Sequence, residues 1–113
     1  MSQLTTHALD LVRGCGAGGL EVSATRLSPD RHDFGAITLG ADGRGVLISG
    51  EAFRPGVYEL VFLIGAYHRS RSLADDSAFL EEAPVRFRVA DASAHCHLPI
   101  LISLYGYSVY RGG

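Results

Sequence analysis

Short runs rich in Val, Ile, Leu, Phe and Tyr recur along this chain between Gly, Asp and Pro punctuation, which constrains the fold to a mainly β architecture. Eight strands are predicted, over residues 4–11, 20–27, 37–39, 46–49, 56–64, 85–89, 97–103 and 105–111. Eight short strands in one small chain imply two packed sheets, a β-sandwich. The connections are marked by four glycines within residues 13–19, by Ala41-Asp42-Gly43-Arg44-Gly45 and by Arg54-Pro55-Gly56. Only residues 66–79 break the alternation, lack Gly and Pro, and lead toward Pro84, so one short helix is placed there.

With 113 residues the chain is expected to form a single domain, 1–113. A chain of this size buries only about two-thirds of the surface its unfolded form exposes, so association with further copies is expected. Hydrophobic residues at 47% and charged residues at 19% supply a core and argue against disorder. The net charge is −2 and all ten basic residues are Arg, which gives nucleic acid or a membrane surface little electrostatic purchase. Arginine more readily serves planar recognition. Cys15 and Cys96 are too few to staple the fold, no apolar run is long enough to span a membrane, and the N-terminus lacks signal-peptide character. A cytoplasmic location is therefore expected.

Five histidines, at 7, 32, 68, 95 and 97, are the main chemical resource. In His95-Cys96-His97 the two-residue strand period sends both imidazoles to one face and Cys96 to the other. Taken alone, a histidine in a strand is more often a hydrogen-bonded structural residue than a catalyst. Three histidines, 7, 95 and 97, could also hold zinc with a fourth position open for water. Arg44, after Asp42-Gly43, reads as a turn arginine paired with Asp42. The glycine-rich segment 14–19 lacks the Gly-Lys-Ser/Thr ending and following helix of a phosphate-binding loop. Cys96 points away from the flanking histidines and Cys15 has no evident base, so both read as structural thiols.

The two ends of the chain, Leu4-Thr5-Thr6-His7-Ala8-Leu9-Asp10 and Tyr105-Gly106-Tyr107-Ser108-Val109-Tyr110-Arg111-Gly112-Gly113, resemble signatures of the 5-hydroxyisourate hydrolases of the transthyretin-like family. Asp42-Gly43-Arg44 resembles that family's central motif, and the segment from His95 to Ser103 its penultimate strand. The resemblance covers essentially the whole chain in the right order. It implies a transthyretin-like sandwich of two four-stranded sheets with one short helix, assembled as a homotetramer from two dimers with active sites in the channel between them. It implies His7, Arg44 and His97 as catalytic residues, Tyr110, Arg111, Gly112 and Gly113 as substrate-binding residues, and a small-molecule substrate with no metal or cofactor. The implied reaction is hydrolysis of 5-hydroxyisourate to a ureido-imidazoline carboxylate in urate breakdown. The alternative is a binding protein that keeps the channel without the catalysis, as in the hormone-carrier branch of the fold. The chain departs from the family pattern at Gly16 and Leu104, where Pro is usual, and at Gly113, where a serine hydroxyl is usual.

Overall fold

The computed structural model describes residues 2–75 and 77–112. Among them nine strands form two sheets: β1 (Gln3–Asp10), β2 (Cys15–Gly16), β3 (Glu21–Ser28), β4 (His32–Thr38), β5 (Arg44–Ser49), β6 (Gly56–Phe62), β7 (Ala83–Val89), β8 (Cys96–Ile102) and β9 (Tyr107–Val109). In the first sheet β1 is central, with β8 parallel on one edge and β5 then β2 antiparallel along the other, and β9 flanks β8. The second sheet has the antiparallel order β4-β3-β6-β7. The ninth strand, β2, lies in the glycine-rich segment read as a connection. β5 pairs with β1 only as far as His7, and Cys15–Gly16 fills the edge beyond it at Leu9 and Asp10.

Alternation decides which side chains enter the core. Along β1, Leu4, Thr6, Ala8 and Asp10 are buried and face the second sheet, while Thr5, His7 and Leu9 take the opposite face. On β8, Leu98, Ile100 and Ile102 point inward. They meet Tyr58, Leu60 and Phe62 of β6 and Val22 and Ala24 of β3 in one hydrophobic cluster, each large side chain contributing about 1.5–3 kcal/mol by leaving water. Tyr58 is fully buried, and its hydroxyl donates to the Arg54 carbonyl at 2.6 Å, which removes the cost of an unpaired polar group.

The helix, α1 (Ile64–Ser70), is seven residues long and starts and stops earlier than the sequence suggests. It ends in a Schellman arrangement: Leu73 N–H donates to the His68 carbonyl and Ser72 N–H to that of Arg69, with Ser72 at φ 57°. A serine in that backbone conformation gives no sequence signal, because glycine normally marks it. β4 is longer than the predicted residues 37–39. It is an edge strand whose residues are mostly exposed, so it lacks an apolar pattern over its first half.

Beneath the sheets Asp10 ties β1 to α1. Its carboxylate accepts from the Tyr67 hydroxyl at 2.7 Å and from the backbone N–H groups of Val12 and Arg13 at 2.9 and 3.0 Å. Burial alone would raise its pKa, but these donors together hold it below the ordinary aspartate value of 3.8.

Candidate active site

The outward face of β1 meets three neighbours that carry chemistry. In the strand register Thr5 is opposite Val46 and His7 opposite Arg44 on β5, while on β8 Thr5 is level with His97 and His7 with Pro99. The returning C-terminal segment closes a third side, where Gly112 N–H donates to the His97 carbonyl at 2.8 Å. These residues, with His95, Leu9 and Tyr110, line an open concavity of about 800 Å³. Strand alternation thus gathers on one surface residues from four distant parts of the chain.

Each polar group has a defined support. His7 donates from Nε2 to the Asp42 carbonyl at 3.0 Å, so Nδ1 is the bare nitrogen of its neutral ring. That carbonyl belongs to a turn closed by the bond from Gly43 N–H to the Gly40 carbonyl. Gly43 adopts φ +80°, and a Cβ on it would lie 2.3 Å from the Ala8 carbonyl oxygen. A Cβ on Gly16 would lie 2.1 Å from the Asp42 oxygen itself, so the glycine-rich segment lets the turn approach β1 closely. Arg44 is the first residue of β5. Its backbone N–H donates to Asp42 Oδ1 at 3.0 Å, and its Nε is 3.6 Å from Asp42 Oδ2, an exposed pair. Arg44 is thus the turn partner of Asp42 that the sequence suggests and also lines the concavity.

His95 and His97 lie on the same face, with ring centroids 5.9 Å apart, and Cys96 packs against the core. Thr5 joins them: its hydroxyl is 2.6 Å from His95 Nε2 and 2.8 Å from His97 Nδ1. Burial first, then the charges of His95, Arg44 and His7, push the His97 pKa below 6.5. His97 therefore stays neutral at neutral pH with Nε2 as its remaining reactive nitrogen. Burial raises the Cys96 thiol pKa against a weaker opposing influence of Arg111, which keeps sulfur protonated.

Of the sequence-derived site residues, His7, Arg44, His97, Tyr110 and Gly112 converge on the concavity. Arg111 lines a second groove, on the β7 side, with Arg88 and Cys96. Gly113 lies outside the described residues. Among the described residues no group of three or more His, Cys, Asp or Glu side chains is arranged to hold a metal ion, so histidines 7, 95 and 97 do not form a ready ligand set. Sequence reasoning missed Thr5 and the Asp42 carbonyl. The two-residue spacing of Thr5 and His7 was a usable signal for the first; the second is a backbone atom and leaves none.

A family model described as the HIUase/Transthyretin family matches residues 4–112. The chain belongs to that family. This family member is 48% identical over 114 residues to "5-hydroxyisourate hydrolase 2" of Rhizobium meliloti (strain 1021), spanning 97% of this chain and 95% of the relative. Its structure is similar to that of Klebsiella pneumoniae 5-hydroxyisourate hydrolase, with a TM-score of 0.84 and 31% identity over the full length of both chains. It is also similar to part of (S)-allantoin synthase, with a TM-score of 0.92 and 34% identity; the match covers 98% of this chain but 43% of that one.

Proposed function

We propose that this protein hydrolyses 5-hydroxyisourate, opening the oxidised purine at its strained ring amide to give a ureido-imidazoline carboxylate. The observation that carries this reading is the convergence of His7, Arg44 and His97 on one concave sheet face, in a chain closely similar to relatives bearing that name.

The reaction needs a base for water, a stabiliser for the developing oxyanion, an acid for the departing nitrogen and a surface that orients the ring. His7 Nδ1 and His97 Nε2 each lack a hydrogen-bond partner among the described residues, which leaves both free for proton transfer to and from a substrate. The depressed pKa of His97 keeps its bare form available. Arg44 presents donors to the oxygens of the ring, where a fixed positive charge favours the oxyanion over the neutral carbonyl. Tyr110 and Gly112 border the pocket and define its width.

The concavity is open on one side, and Val46 and Tyr110 on its rim are 51% and 56% exposed. Apolar exposure beside polar catalytic groups is the character of a surface covered by another copy. This supports one domain over residues 1–113 assembled as a homotetramer, with the site enclosed between dimers. The deciding experiment generates 5-hydroxyisourate in place from urate and follows its decay with and without the protein. Accelerated decay is expected; decay at the uncatalysed rate, with measurable binding of the compound, would establish a carrier instead.

A further inference from the structure

Thr5 stands between two imidazoles at hydrogen-bond distance from both, and no other described group bonds those facing nitrogens. A hydroxyl has a single hydrogen, so it cannot donate to both rings at once. When that hydrogen points to His97 Nδ1, His95 Nε2–H donates to Thr5 Oγ1 and His97 carries its own hydrogen on Nε2. When it points to His95 Nε2, His97 donates from Nδ1 and its Nε2 is bare toward the concavity. A third arrangement, with both rings donating to Oγ1, also leaves His97 Nε2 bare. Only the state with both facing nitrogens bare is forbidden. The state of His95 thereby constrains which nitrogen of His97 carries the hydrogen.

We propose that Thr5 is a positioning residue that couples His95 to His97, so that His97 serves as base and then as acid in one turnover. The catalytic consequence rests on the hydrolase reading above; the coupling itself does not. In the first step water forms its bond to the ring carbonyl carbon and gives a proton to His97 Nε2. The Nδ1 hydrogen of His97 passes to Thr5 Oγ1, and the hydroxyl hydrogen of Thr5 passes to His95 Nε2, placing the positive charge on His95. His97 is then neutral with its hydrogen on Nε2, the form that protonates the departing ring nitrogen as the C–N bond breaks. As it does so, His95 Nε2–H returns a hydrogen to Thr5, and Thr5 returns one to His97 Nδ1. The starting arrangement is restored, and the proton from water resides on the product.

The groups facing His97 that bear on its titration are His7 on β1, Arg44 on β5, His95 beside it, and Tyr110 and Arg111 on the terminal segment. None of these replaces the hydroxyl as a link between the two rings. Coupled groups of this kind titrate as a pair rather than as independent sites.

The test compares the unliganded wild type with Thr5→Val, which keeps shape but removes the hydroxyl, and with Thr5→Ser, which restores it. Nitrogen-15 shifts of the histidine rings across pH report hydrogen position directly. The proposal expects the His97 ring-nitrogen shifts to change in Thr5→Val and to return in Thr5→Ser. In turnover, kcat should fall about tenfold in Thr5→Val, with KM within about twofold and recovery in Thr5→Ser, as for a weakened proton-transfer step. Unchanged His97 shifts in a folded Thr5→Val protein would overturn the coupling, as would a rise in KM with kcat unaffected. If Thr5→Val does not fold, the wild type decides: linked titration of His95 and His97 supports the proposal and independent titration refutes it. Because the spectra need no substrate, absence of hydrolysis in the wild type would refute the activity and leave this comparison intact.

Discussion

The two sheets enclose a common core, but their outward faces dispose of polar groups differently. On the second sheet, Glu59 of β6 and Arg86 of β7 are register partners whose side chains meet at 3.1 Å, so each charge is answered by its neighbour. On the first sheet, His7 and His97 each have one ring nitrogen bound and the other open to the concavity, with Arg44 held only loosely by Asp42. Residue type alone does not separate the two faces, since both carry charged and polar side chains at two-residue spacing. Imidazole nitrogens left without a partner in a shared concavity do. Structural polar groups are stabilised by complete pairing, whereas groups that act on a substrate need a donor or acceptor left free for it.

The comparison is tested most severely by removing the open nitrogens. His7→Ala and His97→Ala are each expected to lower turnover by about a hundredfold or more, the typical contribution of a positioned acid or base. Both residues are half-buried on the outward face, so circular dichroism should report an intact fold. Near-normal turnover in either variant would remove that histidine from the site.

The inward side of the same strand should respond in stability instead. Tyr67→Phe removes the hydroxyl that donates to buried Asp10, and denaturant unfolding should show a loss of about 1–3 kcal/mol. The pH dependence has a definite sign. A carboxylate with a depressed folded pKa stabilises fully above its unfolded value, and that stability is lost as pH falls through the folded value, here below 3.8. The variant should therefore lose part of the wild type's resistance to acid.

Gly112→Ala probes the packing behind His97. The added Cβ would lie 2.8 Å from His97 Cδ2 and 3.2 Å from Pro99 Cγ, so the imidazole or the terminal segment must shift. A displacement of this size at the proposed catalytic imidazole is expected to cost about tenfold in kcat while the melting temperature changes little. Wild-type kcat with the alanine in place would show that the terminal segment does not set the position of the ring.

Arg44→Gln sharpens the electrostatic side. The charge of Arg44 helps to lower the His97 pKa, after burial and His95. Activity that needs neutral His97 falls as pH drops through that pKa, so losing the charge should move the acid limb of kcat/KM to higher pH. A pH–rate profile tests the direction.

The smallest change is expected on the second sheet. Glu59→Gln breaks an ion pair in which Arg86 is 66% exposed, and solvent screening limits its worth to less than about 1 kcal/mol. Turnover should match wild type. A loss comparable to that of the histidine variants would mean that the two outward faces do not differ as described.

The positions of most strands were legible in the chain because local alternation and turn chemistry are recorded residue by residue, whereas the candidate site residues were legible only through the family resemblance. The end motifs, Asp42-Gly43-Arg44 and the segment from His95 to Ser103 marked His7, Arg44, His97, Tyr110 and Gly112, all of which reach the concavity. The helix boundaries were not legible: a Schellman end built on Ser72 carries no glycine, and β4 is too exposed over its first half to show a pattern.

By itself the sequence determined that the chain is a mainly β sandwich and that His95 and His97 share a face, because a strand's side-chain period is local geometry. Only the tertiary structure decided what those histidines meet. The parallel pairing of β1 with β8 sets Thr5 level with His97, some ninety residues away in the chain, and the Gly16 contact brings the Asp42 carbonyl to His7. Such pairings depend on strand order and close backbone approach, which belong to the assembled fold rather than to any one segment.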